Sequence, residues 1–356
     1  MSLEELRRLV DEVDGEILRL LRRRVELARS IAELKRRLNM PLVDPAREAA
    51  ILARVEEWSR GHGLDVELAL TAFKAVIGLC KRAQRGLEVA FLGPRGSFSE
   101  EAALKAFLSE GATFKPVSTI RGVFEVVERG AADYGVVPIE NSLEGSVGET
   151  IDLLAETELK VCGEVEVRVS LSLIAGPGTR LEDVHTVLSH PHALGQCRSF
   201  LRAVLRGVKV RACSSTAEAV RRAVRSRGVA AIGSRLAAAM YGGEVLVEGV
   251  EDLKDNYTRF LVIGREGVER GVGRKTSLIF RLPNTPGSLH RALSPFAARG
   301  INLTCITSRP IRGRPWEYMF YVELEGGGDG RCEEALRELE GVALQVKVLG
   351  SYGRLG

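Results

Sequence analysis

The chain lacks any Cys-x-x-Cys pair, and none of its six cysteines stands with histidine at zinc-ligand spacing. Cys80, Cys162, Cys197, Cys213, Cys305 and Cys332 are scattered and read as reduced thiols, so no metal site and no disulfide framework is expected. No apolar run approaches the ~20 residues that a membrane span needs. The N-terminal stretch Met1–Asp14 is charged and helical, unlike a leader with an apolar centre, so a cytoplasmic location without membrane association is expected. No Lys/Arg-rich run stands apart from a helical pattern, and a net charge of +4 gives little to hold nucleic acid. Repeats are absent, and Gly326-Gly327-Gly328 is the single low-complexity stretch.

What is present is enough for several cores. The 356 residues suggest two or three domains, and 45% hydrophobic content is ordinary for globular proteins. The first ~85 residues carry no strand signal. Leu6, Leu9, Val10, Val13, Ile17, Leu20, Leu21, Val25, Leu27, Ala28, Ile31 and Leu34 recur at helical spacing. The spacing predicts a helix from about Ser2 to Leu38, stopped by Asn39-Met40-Pro41. Such a helix is roughly 50 Å long and cannot bury its apolar stripe against itself. With only two shorter helices following, at 45–61 and 66–85, self-association into a homodimer or higher oligomer is expected.

From Glu88 the pattern changes to strands alternating with helices, an α/β signature running to about residue 265. Strands are predicted at 89–92, 134–138, 171–175, 186–189, 209–212, 229–233 and 260–263. A polar stretch from Gly264 to Arg274 reads as a linker. Residues 275–350 then follow the order βαββαβ, which is ferredoxin-like. The domains are therefore expected at 1–86, 88–265 and 275–356.

Three groups of residues carry chemistry. In the first, Arg24 and Lys35 lie 11 positions apart on the long helix. That places them within about 20° of one face and ~16 Å along the axis, able to converge on an anion. Arg7 is ~25 Å from Arg24 and about 100° around, so it can reach the same pocket only from a second chain packed antiparallel. Asp44, Arg47 and Glu48 follow the turn, and Cys80 and Gln84 share a face of the third helix. A single arginine on a helix ordinarily faces solvent; the constellation is what carries weight. Over residues 3–85 it resembles the all-helical class of chorismate mutase. The resemblance implies that Arg24, Arg47 and a partner's Arg7 hold the substrate carboxylates. Lys35 and Gln84 would donate to the ether oxygen, and Glu48 would accept from the ring hydroxyl. Cys80 stands where many relatives have a small hydroxyl residue. The rearrangement is pericyclic, so it needs a held conformer and positive charge at the breaking ether bond.

In the second group, helices after strands open on hydroxyls: Ser97-Phe98-Ser99-Glu100, Ser118-Thr119 and Ser214-Ser215-Thr216. Ser97/Glu100 and Ser215/Glu218 fit capping boxes. Such helix N-termini are caps, anion ligands, or both. Further polar stretches follow buried strands: Glu140-Asn141-Ser142 after Pro138-Ile139, then Ser189-His190-Pro191-His192, and Asn256-Tyr257-Thr258-Arg259-Phe260. No third ligand stands near His190 and His192, so a metal is not expected there. Across 88–265 these stretches resemble the prephenate dehydratase domain. That implies two α/β lobes of the periplasmic-binding-protein type around a cleft, with crossings near 165–170 and 248–252. It makes Thr258 the candidate proton donor with Arg259 beside it. A buried Glu140 is the alternative acid. Ser97, Ser99, Asn141, Ser142, Ser189, His190, Ser215, Thr216 and Phe260 complete the expected substrate site.

In the third group, Pro286-Gly287-Ser288-Leu289 is a turn opening a helix, and Asn302 leads toward Thr307-Ser308-Arg309-Pro310. These resemble the ACT domain of such dehydratases, with Thr307 where an acid is usual. The implied effector is L-phenylalanine, held between two such domains. The resemblance thus implies a cofactor-free isomerase and lyase taking chorismate and prephenate and regulated by phenylalanine. Two alternatives stay open: an arogenate dehydratase, which would act on an amine analogue of prephenate, and a non-enzymatic amino-acid sensor.

Overall fold

The computed structural model describes residues 2–38, 40, 44–267, 270–311, 313, 316–327 and 330–356. Two compact units result, split between Leu87 and Glu88.

The first unit is α1 (Leu3–Arg37), α2 (Pro45–Gly61) and α3 (Val66–Arg85). The expected helix stop at Asn39 and Pro41 lies outside the described residues, and α1 ends at Arg37. Asp44 caps α2 by accepting from the Arg47 amide at 3.0 Å, and Asp65 caps α3 by accepting from Leu68 at 2.9 Å. Ala28 and Ala32 of α1 are buried with Val55, Ile77 and Cys80. Leu21 and Val25 are half-buried, and the rest of the α1 stripe, from Leu6, Leu9 and Val10 to Ile31 and Leu34, is exposed.

The second unit opens with β1 (Glu88–Leu92), α4 (Phe98–Phe107), β2 (Thr113–Val117), α5 (Ile120–Glu128), β3 (Tyr134–Asn141), β4 (Gly145–Ser146), α6 (Gly148–Glu156) and β5 (Lys160–Arg168). The chain then crosses into β6 (Ser172–Ala175), β7 (Thr186–Ser189), α7 (Pro191–Gln196), α8 (Arg198–Val204), β8 (Lys209–Ala212), α9 (Thr216–Ala223), β9 (Val229–Gly233), α10 (Arg235–Tyr241) and β10 (Glu244–Val247). It returns through β11 (Tyr257–Gly264), which lies antiparallel between β3 and β5. Two lobes with two crossings are the result. One lobe holds a five-stranded sheet in the order β10-β6-β9-β7-β8. Small alanines on α9, α10 and β9, among them Ala217, Ala223, Ala231 and Ala237, let these elements pack close around Ile174 and Val220.

The C-terminal part is β12 (Val272–Arg281), α11 (Ser288–Ala298), β13 (Leu303–Pro310), β14 (Tyr318–Glu325), α12 (Gly330–Val342) and β15 (Gln345–Arg354). Its strand order β13-β14-β12-β15 is that of a ferredoxin-like sheet. This sheet joins the preceding one: β15 pairs in parallel with β5 through Gly353 and Gly163, making one sheet of ten strands. Gly163 permits the approach, since a Cβ there would meet the Leu355 side chain at 2.7 Å. The predicted linker is correspondingly short, because β11 runs to Gly264 and β12 starts at Val272.

Candidate active sites

The first unit contains a cavity of about 470 Å³. Arg24 and Lys35 of α1, Asp44, Arg47 and Glu48 at the start of α2, and Cys80, Lys81 and Gln84 of α3 line it, over a floor of aliphatic side chains that includes Leu27, Ile31, Ile51 and Ile77. Arg24 Nη1 donates to Cys80 Sγ at 2.8 Å and to the Val76 carbonyl at 3.4 Å, which aims the guanidinium inward. Lys81 Nζ meets Glu48 Oε1 at 2.7 Å. Four cationic against two anionic side chains leave an excess of two positive charges over an apolar floor. That arrangement suits a small dianion. Arg7 is on the same helix but does not line the cavity. Lys81 was missed in the sequence, although its spacing of three from Gln84 was a usable signal.

The second unit has a cleft of about 680 Å³ between its lobes. Ser97, Phe98, Ser99, Ser118, Asn141, Glu144 and Thr258 come from one side, and His190, His192, Gln196, Ser214, Ser215 and Thr216 from the other. Two of these hydroxyls serve as caps. Ser97 Oγ accepts from the Glu100 amide at 3.3 Å and donates to the Leu92 carbonyl, and Ser215 Oγ accepts from the Glu218 amide at 3.1 Å. The expected reciprocal carboxylates go elsewhere: Glu100 accepts from Gly96, and Glu218 pairs with Arg221. The N-termini of α4 and α9 nevertheless open on the cleft, so their amides and dipoles supply positive potential. Among the described lining residues there is no lysine or arginine.

Thr258 is held with care. Asn141 Oδ1 accepts from the Leu143 and Glu144 amides, each at 3.0 Å, which fixes which end of the amide is nitrogen. Asn141 Nδ2 then donates to Thr258 Oγ1 at 3.0 Å and to Asn256 Oδ1 at 2.7 Å. With that acceptor position taken, the Thr258 O–H is left to donate into the cleft. His190 caps α7, its Nδ1 accepting from the His192 amide at 3.4 Å. Burial, then the neighbouring His192, push its pKa down against the pull of Glu144, so the neutral ring carries its proton on Nε2.

Several expected residues are not in this cleft. Arg259 and Glu140 occupy the opposite face of the sheet, because neighbours along a strand point to opposite sides. There Arg259 donates to Glu140 Oε2 at 2.7 and 3.1 Å, to Glu164 at 3.1 Å, and to both oxygens of Glu323 at 2.8 and 3.2 Å. Burial opposes its charge, yet the Glu323, Glu140 and Glu164 carboxylates raise its pKa further. Glu140 is thus an ion-pair partner rather than an acid. Phe260 is buried in the sheet, and Ser189 is fully buried with its hydroxyl on the Ile232 carbonyl at 2.6 Å. Ser142 Oγ accepts from the Tyr257 amide at 3.0 Å and ties the loop to β11. Asn256, Glu144 and Gln196, unassigned from sequence, do line the cleft.

The expected effector residues divide. Gly287, at φ +77, lets the chain turn into α11. Ser288 and Leu289 line a cavity of about 380 Å³ with Asn284, Trp316, Tyr318 and Phe320. Pro286 and Asn302 do not line it. Thr307 and Arg309 of β13 instead face β4 and α6. Thr307 Oγ1 is 3.3 Å from Ser146 Oγ, and Arg309 grips Asp152 with bonds of 2.8 and 3.0 Å. Ser308 and Pro310 are on the exposed face of β13.

Comparison with known proteins matches each part. Residues 6–85 fit the family model of type II chorismate mutase, 89–268 that of prephenate dehydratase and 276–340 that of the ACT domain. A bifunctional chorismate mutase/prephenate dehydratase of Aquifex aeolicus is 40% identical over 355 residues, spanning 99% of this chain and 98% of the relative. The chain belongs to the bifunctional chorismate mutase/prephenate dehydratase family. The two parts of this mutase–dehydratase that follow residue 88 also have solved counterparts. The structure of prephenate dehydratase from Arthrobacter aurescens in complex with L-Phe aligns with a TM-score of 0.69 at 34% identity, over 75% of this chain and 90% of that one. A chloroplastic arogenate dehydratase/prephenate dehydratase of Arabidopsis thaliana is 41% identical over 280 residues, 75% of this chain and 72% of its own. Among the described residues no group of His, Cys, Asp or Glu is arranged to hold a metal, and no helix is long and apolar enough to cross a membrane.

Proposed function

We propose that the helical unit rearranges chorismate to prephenate and that the cleft converts prephenate to phenylpyruvate in phenylalanine biosynthesis in the cytoplasm. The observation that carries the first step is one cavity with a surplus of two positive charges and no nucleophile or metal required. Arg24 and Arg47 hold the two carboxylates, Lys35 and Gln84 donate to the ether oxygen as its bond breaks, and Glu48 accepts from the ring hydroxyl. The exposed apolar stripe of α1 supports a two-chain mutase in which a second copy brings Arg7. In this reading the catalytic domains span 1–86 and 88–265 and the sensing domain 275–356.

In the cleft, the C–CO₂⁻ bond breaks to release CO₂, its electron pair completes the aromatic ring, and the ring hydroxyl departs as hydroxide, which takes a proton from solvent to become water. Thr258 donates a hydrogen bond to that departing hydroxyl, in a site where the α4 and α9 N-termini and neutral donors replace water. Incubation with chorismate alone should generate phenylpyruvate, read by its absorbance in alkali. Accumulation of prephenate without phenylpyruvate would remove the second activity. Glu144 is the sole carboxylate among the described lining residues of the cleft. It could pair with the amine of arogenate, so parallel assays on both substrates decide the preference.

L-phenylalanine is the proposed effector. At millimolar concentration it should slow the dehydratase more than the mutase. Calorimetry that detects no binding of phenylalanine to the full chain would reject this regulation.

A further inference from the structure

Beneath the dehydratase cleft lies a cluster of five charged side chains: Arg259, Lys275, Glu140, Glu164 and Glu323. Lys275 Nζ binds Glu164 at 2.8 and 3.0 Å and approaches Glu323 at 3.3 Å. Glu323 is fully buried and comes from β14, in the ferredoxin-like part of the sheet. Besides Arg259 it takes a hydrogen bond from the Tyr321 hydroxyl at 2.8 Å. A buried carboxylate is costly unless paired and hydrogen-bonded. Here burial alone would raise its pKa, and Arg259, Lys275 and Tyr321 together bring it below the ordinary glutamate range. It is therefore an anion at neutral pH, and it fixes the Arg259 guanidinium through two parallel bonds.

The position of this clamp gives it a role. Arg259 follows Thr258 on β11, and Glu140 precedes Asn141 on β3. The Thr258–Asn141 hydrogen bond faces the cleft, and the Arg259–Glu140 ion pair locks the same two strands from the other face. The ladder is irregular at this point, shifting register between Arg259 and Phe260, so backbone pairing alone fixes Thr258 less firmly than it would in a regular ladder. We infer that Glu323 is a positioning residue for the dehydratase reaction, acting through Arg259 to hold the Thr258 hydroxyl against Asn141. This rests on the reading of Thr258 as the donor to the departing hydroxyl.

Glu323→Gln preserves shape and removes the charge that orients Arg259. In the full chain it should lower dehydratase kcat about 10-fold or more, the scale on which a small misplacement of a reacting group acts. KM for prephenate should stay within about 3-fold, and the mutase rate should not change. The deciding readout is the double-mutant cycle with Thr258→Val: once the hydroxyl is gone, Glu323→Gln should cost nothing further. Tyr321→Phe, which removes the hydroxyl that donates to Glu323 and touches Ser277 Oγ at 3.2 Å while leaving every charge in place, should show the same kcat-specific and Thr258-dependent loss at smaller size, and serves if Glu323→Gln does not fold. The inference is overturned by an unchanged kcat in the folded variant, by a loss carried in KM, or by an equal loss in both backgrounds. Failure of the underlying reading looks different: Thr258→Val itself would turn over prephenate normally.

Discussion

Thr258→Val is expected to cut dehydratase kcat by at least ~10², the usual worth of one preorganised hydrogen-bond donor to a developing negative charge, with chorismate still consumed at the parental rate. Valine matches threonine in shape and suits a strand, so β11 should keep its place between β3 and β5. Asn141 Nδ2 loses one acceptor but keeps Asn256 Oδ1 and the Tyr257 carbonyl, at 2.7 and 3.1 Å. The substitution therefore subtracts the O–H and little else. A threonine hydroxyl is far too weak an acid to transfer its proton outright, so its contribution is hydrogen bonding to the departing oxygen. Near-normal turnover of prephenate by the variant would take Thr258 out of the reaction.

How far the sequence could be read depended on the range of the forces involved. Helices set by local periodicity and capping, such as α1, α2 and α3, were legible within a residue or two, because 3.6-residue spacing and Asp44-Pro45 are local signals. The mutase pocket was legible for the same reason: Arg24 and Lys35 are placed by a single helix. Strand-borne residues were read less well. The motifs put Thr258-Arg259 and Glu140-Asn141 side by side, although period-2 alternation sends only one of each pair into the cleft. Arg259 instead meets Glu323, more than sixty positions away, and Glu140 pairs with Arg259; nothing local announces those partners. The same holds for β15, whose pairing with β5 joins Gly353 to Gly163. It continues the sheet of the β3–β5 lobe into the ferredoxin-like strands. Thr307 and Arg309 illustrate the consequence. Their motif was visible, but their contacts with Ser146 and Asp152 depend on how that long sheet curls back.

The mutase cavity offers an internal comparison between two lysines. Lys35→Gln keeps a hydrogen-bond donor and removes one positive charge. If Lys35 meets the ether oxygen as negative charge develops there, kcat/KM for chorismate should fall by about 10²–10³, the range for losing one preorganised donor to a developing anion. Lys81→Gln removes the same formal charge from the same cavity, but Lys81 already pairs with Glu48 at 2.7 Å and is 46% exposed. Much of its field is cancelled by Glu48 and screened by water, so its loss should cost well under 10-fold. The dehydratase should be untouched in both variants. Were the cavity acting only through its overall charge, the two substitutions would be equivalent. Equal losses would therefore assign rate enhancement to a diffuse field, whereas the expected gap of about 10-fold or more assigns it to a donor placed at one atom.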